Sequence, residues 1–271
     1  MRTVVHLSDL HFGRTDPALL DPLTAIVHAL RPDLIVVSGD LTQRARTAQF
    51  IEARAFLDRL PTPQLIVPGN HDVPLYDVLA RFLRPLARYR RYITDDLEPC
   101  FIDEEIAVLG VNTARSLTFK QGRINEEQIA RVRERLCALP DLITKVVVTH
   151  HPFDLPSGYD SDDLVRRAAL AREMLSACRC DLLLAGHLHL SVATEGSIRS
   201  NTNVYEPIVV QAGSATSTRS RGESNSFNVI RIESRHIEVR RYMWQPSTGA
   251  FDAAANHRFQ CTAGGWKRVP A

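Results

Sequence analysis

The feature that most constrains this chain is a pattern that recurs five times: a short apolar run stops and hands over to Asp, His or Asn. Val4-Val5-His6-Leu7 leads into Ser8-Asp9-Leu10-His11, and Leu34-Ile35-Val36-Val37 into Ser38-Gly39-Asp40. Leu65-Ile66-Val67 gives way to Pro68-Gly69-Asn70-His71-Asp72. Val146-Val147-Val148 precedes Thr149-His150-His151-Pro152, and Leu182-Leu183-Leu184-Ala185 precedes Gly186-His187-Leu188-His189. Continuous apolar runs of this kind read as strands buried on both faces. In open α/β sheets the ligand site lies beyond the carboxyl ends of the strands. Five strands delivering polar side chains to one edge describe a site assembled from the whole fold.

Helical patterns separate the runs. Pro17 to Leu30 reads as a helix ending at Arg31-Pro32. Thr47 to Leu60 carries Phe50, Ala53, Phe56, Leu57 and Leu60 on one face,. Asp77 to Tyr92 reads as an arginine-rich helix. Asn125 to Leu139 opens with Asn125 as N-cap and Gln128 closing a capping box. A further helix runs from about Asp162 to Ala177, and Ile106 to Val111 is another strand. From Ser191 the alternation stops, and Val204 to Gln211, Phe227 to Ile232 and Ile237 to Tyr242 read as successive strands. The expected class is α/β: a two-sheet αββα sandwich with its site at the strand C-terminal edge. At 271 residues the chain can bury such a core,. The expected domain is 1–243. Residues 244–271, poor in apolar periodicity, are expected as a tail that packs on the domain or on the partner subunit of a homodimer.

The residue types at the strand ends define a chemistry. Asp9, His11, Asp40, Asn70, His150, His187 and His189 offer two carboxylates, one amide oxygen and four imidazoles. Seven ligands exceed what one tetrahedral zinc needs but suit two octahedral ions with open positions. Mixed nitrogen and oxygen donors without thiolate favour Mn, Fe or Zn over Mg or Ca. One carboxylate must bridge the ions, and Asp40 is the natural candidate. Glycines before Asp40, Asn70 and His187 are expected to let the backbone turn sharply off the strands. Taken singly, Gly39-Asp40 is an ordinary turn and Asp9-Leu10-His11 a strand end; the ordered set carries the signal. His6 and His28 sit inside apolar segments and read as structural. No GxSxG elbow and no Walker GxxxxGK[ST] loop is present,.

The series DxH, GD, GNHD, a His after a strand, and GHxH resembles the calcineurin-like metallophosphoesterase superfamily, from Asp9 to His189. The phrases Ser38-Gly39-Asp40-Leu41-Thr42 and Gly186-His187-Leu188-His189 look most like its class III cyclic-nucleotide phosphodiesterase branch. The resemblance implies one divalent metal ion held by Asp9, His11, Asp40 and His189, and a second held by Asp40, Asn70, His150 and His187. It also implies a catalytic His71 that faces the substrate, oriented by Asp72. The implied reaction is hydrolysis of a phosphodiester, with 3',5'-cyclic nucleotides as first substrate class.

Three further readings stay open. The Ser/Thr/Gly-rich loop after Val209-Val210-Gln211 carries Arg219 and Arg221, which either hold a substrate phosphate or decorate a solvated hairpin. Arginine is dense from Arg84 to Arg91 and again from Arg231 to Arg241. Arg81 to Arg91, with Phe82, Leu83, Leu86, Tyr89 and Tyr92, reads either as a solvated helix face or as a peripheral membrane contact. The second reading gives the alternative function, a hydrolase of a phospholipid or nucleotide-linked lipid at a membrane surface. A nuclease uses the same metal clamp, but a formal net charge of +2 and no extended basic stripe argue against a stable nucleic-acid complex,. Five cysteines form no even framework and are expected as incidental thiols of a reducing compartment,. The amino terminus runs straight into a motif-bearing strand and no apolar stretch reaches ~20 residues, so a cytoplasmic location is expected.

Overall fold

β1 (Arg2–Leu7) organises the first sheet. It pairs in parallel with β2 (Leu34–Val37) and antiparallel with β10 (Ser226–Glu233). A computed structural model of the chain describes residues 1–117, 120–155, 163–196, 205–219 and 222–270. Beyond β2 lies β3 (Gln64–Ile66). Beyond β10 lie β11 (His236–Gln245), β12 (Ala250–Thr262) and β13 (Gly265–Val269), giving the order β13-β12-β11-β10-β1-β2-β3. The second sheet contains β4 (Cys100–Ile102), β5 (Ile106–Gly110), β6 (Thr144–Val148), β7 (Leu182–Ala185), β8 (Val192–Glu195) and β9 (Ile208–Gln211). Its order is β4-β5-β6-β7-β9-β8.

The two sheets face each other. Val4, Val36 and Ile230 of the first pack in one core with Val108, Val148 and Leu184 of the second. Helices cover the outer faces. On the first sheet, α1 (Pro17–Leu30) and α2 (Thr47–Leu57) bury Leu19, Leu23, Phe50 and Phe56 against Val5, Leu7, Ile35 and Val37. On the second, α5 (Glu126–Cys137) and α6 (Ala168–Ala177) bury Val132, Leu136, Ala171 and Leu175 against Leu109, Val147 and Leu183. This is the αββα sandwich the apolar runs imply.

Local chemistry sets the helix ends. The Asp16 carboxylate accepts from the Ala18 amide at 3.0 Å, Pro17 fills the first turn, and Arg31 closes α1 in the left-handed conformation,. The expected capping box of α5 forms: Asn125 Oδ1 accepts from the Gln128 amide at 2.8 Å, and Gln128 Oε1 from the Asn125 amide at 3.2 Å. The arginine-rich helix expected over Asp77 to Tyr92 is two short ones, α3 (Val78–Leu83) and α4 (Ala87–Tyr92). Pro85 breaks it, because a residue before proline is driven out of the helical region; Arg84 sits at φ −146°, ψ 59°,. Residue 162, the expected start of the helix that becomes α6, lies outside the described residues, as does residue 204.

Two expectations need correction. Residues 244–270 are not a tail: β11 runs on to Gln245, and β12 and β13 complete the sheet. Trp266 of β13 is buried between the sheets, where its Nε1 donates to Asp181 Oδ1 at 2.8 Å. The Tyr205 hydroxyl donates to the same carboxylate, and the Lys145 amide donates to Asp181 Oδ2 at 2.8 Å. Burial raises the Asp181 carboxyl above the usual range, against those three donors,. The network ties the last strand of the first sheet to the start of β7 in the second. The thiol reading fails for one pair. Cys137, ending α5, and Cys178, following α6, form a disulfide with Cα atoms 4.7 Å apart, because the two helices lie side by side. Cys100, Cys180 and Cys261 are free. Among the described residues no helix is long and apolar enough to cross a membrane.

Trp266→Ala should therefore cost about 3–5 kcal/mol of stability, the range for emptying a buried aromatic site. Urea denaturation followed by circular dichroism measures it. A loosely packed tail would leave the midpoint unmoved.

Candidate metal centre

The five motifs converge where β1, β2, β3, β6 and β7 end. Nine non-glycine residues of the described chain have positive φ, and five of them are Asp9, His11, Asp40, His187 and His189. A left-handed backbone costs an ordinary residue about 1–3 kcal/mol, so its concentration here marks a site the fold holds against strain. Gly39, at φ +93°, makes the expected sharp turn. Gly69 does not: its φ is −103°. It is needed because a Cβ there would collide with the Asp40 carboxylate, as one at Gly186 would with Ser8.

Asp40 lies at the centre. Its Oδ2 is 3.6 Å from His11 Nε2, and its Oδ1 is 3.4 Å from His150 Nε2. One carboxylate thus faces both halves of the cluster. On one side, Asp9 Oδ1 is 3.4 Å from both His11 Nε2 and His189 Nε2. On the other, His150 Nε2 is 3.1 Å from Asn70 Oδ1, and the His187 ring centroid is 5.2 Å from that of His150. Asp9, His11 and His189 form one group with donor atoms within 4.8 Å of one another; Asp9, Asp40 and His150 form a second. All seven expected residues are brought together, and all but Asn70 are buried.

The donor set fits cations. Asp9 Oδ1 and both ring nitrogens of His11 are buried without a hydrogen-bond partner. An unmet buried polar group costs about 1–3 kcal/mol, more when charged, and a cation facing Asp9 Oδ1 and His11 Nε2 removes that cost. The rear nitrogens of two rings are already held, as is usual for ligating imidazoles. His150 Nδ1 donates to the Ser38 carbonyl at 2.8 Å, and His189 Nδ1 meets Ser214 Oγ. Ser8 Oγ donates to Asp9 Oδ2 at 2.7 Å. Burial would raise the Asp9 and Asp40 carboxyls, but the neighbouring imidazoles, His189 and His150 foremost, outweigh it and hold both well below the usual range. Burial pushes His187 down to about 3, so it is a neutral donor. Burial also opposes charge on His150, but Asp40 and Asp9 overcome it and raise that ring to about 9. The two carboxylates attract positive charge in whatever form it comes.

His71 stands at the rim. One of its ring nitrogens lies within 4.8 Å of donor atoms of His11 and Asp40, nearer the cluster than a purely outward-facing ring would be. Its Nδ1 donates to the Gln43 carbonyl at 2.9 Å, and its Nε2 lies 3.2 Å from Arg219 Nη1. Burial lowers its pKa and Asp40 partly restores it. Asp72 does not orient this ring, contrary to expectation. Its buried carboxylate accepts from the amides of Leu41 (3.2 Å), Thr42 (2.9 Å) and Gly69 (2.9 Å), and from Thr42 Oγ1 at 3.0 Å. Burial and Asp40 raise the Asp72 carboxyl to about 6 despite these donors. Asp72 therefore pins the Asn70–Asp72 turn to the segment after Asp40, and Gln43 holds His71.

Sequence reasoning missed Gln43, Arg44, Ser38 and Ser214. Each adjoins a recognised motif or loop, but only the folded chain shows which atom it touches. His151 was also passed over. It groups with His150 and His187, yet both its nitrogens are engaged, by Thr113 Oγ1 at 2.8 Å and the Lys120 carbonyl at 3.1 Å. His6 bonds Ser38 Oγ at 2.9 Å and His28 the Arg59 carbonyl at 2.8 Å, as structural histidines do. Arg221 lies outside the described residues.

Residues 2–191 match the family model for calcineurin-like phosphoesterases, and the chain belongs to that family. It is a metal-dependent phosphoester hydrolase of a family that works through a dinuclear divalent metal site. Its relatives include the cAMP/cGMP dual specificity phosphodiesterase MT0825 of Mycobacterium tuberculosis, 28% identical over 84% of this chain and 75% of that protein. The glycerophosphodiester phosphodiesterase GpdQ of Enterobacter lignolyticus is 28% identical over 71% of this chain and 72% of its own length. The 3',5'-cyclic adenosine monophosphate phosphodiesterase CpdA of Escherichia coli K12 is 27% identical over 69% of each. The fold is shared with a dimetal phosphatase from Danio rerio (TM-score 0.65, 14% identity, 88% of this chain and 95% of that one). It is also shared with the purple acid phosphatase PPD1 of yellow lupin (TM-score 0.68, 12% identity); all of this chain aligns there, but it spans only 56% of that protein.

Asp72→Ala should lower stability by about 1–3 kcal/mol for each amide left buried without a partner, and should loosen the Asn70 turn. Denaturation midpoint and metal content are the readouts. Were Asp72 only a tuner of the His71 ring, kcat alone would fall.

Proposed function

We propose that the chain is a dinuclear phosphodiesterase whose first substrate class is 3',5'-cyclic nucleotides. The observation that carries this reading is the Asp40 carboxylate divided between His11 and His150, with His71 and Arg219 at its rim. Named relatives that act on cyclic nucleotides and on glycerophosphodiesters support the diester class. Asp9, His11, Asp40 and His189 would hold one ion, and Asp40, Asn70, His150 and His187 the other. Mn or Fe suits these donors best, with Zn as the alternative. Two such cations supply Lewis-acid polarisation of the phosphoryl oxygens and an activated water.

The chain's own residues do the rest. Arg219, whose guanidinium lies 3.2 Å from His71 Nε2, would make a charge-assisted contact with a non-bridging phosphoryl oxygen,. Its closeness to His71 Nε2 brings that nitrogen to the same phosphate. With Nδ1–H committed to the Gln43 carbonyl, His71 has only Nε2 to turn to the substrate. When protonated there, it donates to the departing ester oxygen. The Gln43 carbonyl stabilises that imidazolium through the opposite side of the ring.

Four measurements test the reading. Protein reloaded with manganese should bind two equivalents by elemental analysis, and Asp40→Ala should lose both; saturation of the unmodified protein at one rejects the dinuclear site. His71→Ala should keep its metals and lower kcat by roughly 10²–10⁴-fold. The loss should be smaller for a p-nitrophenyl ester than for an alkyl ester such as a ribose 3'-oxygen; equal losses reject a proton-donating role. Arg219→Ala should cost about 1.5–3 kcal/mol in kcat/KM with metal content unchanged. Hydrolysis of cyclic nucleotides compared with glycerophosphodiesters decides the substrate class.

A further inference from the structure

Helix α3 is built inside out. It buries its one charged residue, Arg81, at 2% exposure. The guanidinium donates to the Pro74 carbonyl at 2.8 Å and the Ser116 carbonyl at 2.7 Å. Its large apolar side chains face outward: Val78 is 61% exposed, Leu79 71%, Phe82 52% and Leu83 70%. Spacings of three and four place Val78, Leu79, Phe82 and Leu83 on one side of the helix. Tyr76, just before it, is 72% exposed. Scattered exposed apolar residues are normal, but a contiguous group of this size marks an interaction surface. The other half of the segment behaves differently: Leu86 and Tyr89, which the sequence places on the same stretch, are core residues, with Tyr89 Oη donating to the Ile66 carbonyl at 2.9 Å.

Charge and position narrow the partner. From Tyr76 to Tyr92 there are five arginines against one acid, Asp77. Arg88 pairs with that acid at 3.0 Å and Arg90 with Asp95 at 3.2 Å, while Arg84 and Arg91 are exposed. An apolar patch followed directly by an exposed arginine, Arg84, with Arg91 exposed on the next helix, complements an anionic bilayer, whose headgroups meet the cations while its acyl boundary takes the apolar tips,. A second copy of this segment offers Arg84 and Arg91 no free acid, since its one carboxylate, Asp77, already pairs with Arg88. The patch also adjoins the metal centre: the Arg44 guanidinium lies 5.9 Å from the Tyr76 ring centroid and 3.2 Å from His71 Nδ1.

We propose that the face of α3 formed by Val78, Leu79, Phe82 and Leu83, with Tyr76 and the arginines beside it, docks the protein on an anionic lipid bilayer and turns the metal centre toward that surface. Docking is independent of which diester is cleaved, and it is measured without substrate.

The full-length protein is sedimented with phosphatidylglycerol/phosphatidylcholine vesicles and with pure phosphatidylcholine vesicles, at low and high salt. Binding should be confined to the anionic vesicles and weaken with salt. Leu79→Asp combined with Phe82→Asp, and separately Arg84→Ala combined with Arg91→Ala, should each weaken it by about tenfold or more. Both double variants should hydrolyse a soluble aryl diester as the unmodified protein does, because none of these residues belongs to the metal centre. No binding to anionic vesicles, or equal binding by the Leu79/Phe82 variant, overturns the proposal. So does a halving of molecular mass by light scattering in that variant, which would make a second copy the occupant. Loss of aryl diester hydrolysis in the unmodified protein would instead count against the proposed reaction and leave the vesicle result standing.

Discussion

The structure turns on two buried carboxylates, Asp9 and Asp40, set among imidazoles. Asp9 and Asp40 end neighbouring parallel strands, are inaccessible to solvent, and face imidazoles in place of Lys or Arg. Burying ionised carboxylates is costly unless opposite charge is supplied. The chain meets this demand with positioned but only partly satisfied donors, and it tolerates left-handed backbone at Asp9, His11, Asp40, His187 and His189 to hold them there. Such a centre is stable only with positive charge in it. That would link stability of the site to its chemistry, since a divalent cation that completes the core would also be a Lewis acid.

The sequence displayed this centre because its signals are local. Buried parallel strands are short unbroken apolar runs, and each candidate ligand follows its strand by two to four residues, so the order of motifs survives without knowledge of the fold. What stayed hidden depends on contacts distant in the chain. Asp72 stands beside His71 in the sequence, yet its carboxylate turns to Leu41 and Thr42, some thirty residues away, while the ring is held by Gln43. Cys137 and Cys178 are separated by 41 residues, and only the packing of α5 beside α6 brings their Cα atoms within bridging distance,. Pro85 was readable as a helix break but was masked by the arginine-rich pattern running through it.

The carboxy-terminal strands escaped notice for another reason. β12 is thirteen residues long, but much of it is exposed or half-buried, and a bulge at Arg241/Tyr242 disrupts its register with β11. Its place comes from backbone pairing on both sides, which leaves little hydrophobic periodicity to read. Phe251, Phe259 and Trp266 are buried exceptions, and the Trp266 indole crosses to Asp181 and couples the far edge of the first sheet to the second. The sandwich is therefore closed at two places, by cation-binding groups at the strand ends and by the Asp181 network at the opposite edge.

One loop joins that closure to the chemistry. Residues 212–219 leave β9 and are stitched to both sheets: the Ala215 amide donates to the Ser8 carbonyl at 3.0 Å and Thr216 Oγ1 to the Leu10 carbonyl at 2.8 Å. Asn225, just before β10, donates through Nδ2 to the Ser214 and Ser217 carbonyls at 3.2 and 2.9 Å. The same loop delivers Ser214 to the rear nitrogen of His189 and Arg219 to the front nitrogen of His71. The contacts to His189 and His71 thus share one connection whose anchors flank Asp9. A displacement of β10 would move His189 and Arg219 together. The antiparallel strands that lie outside the motif series therefore bear on the candidate centre through geometry, by holding the loop that touches both His189 and His71.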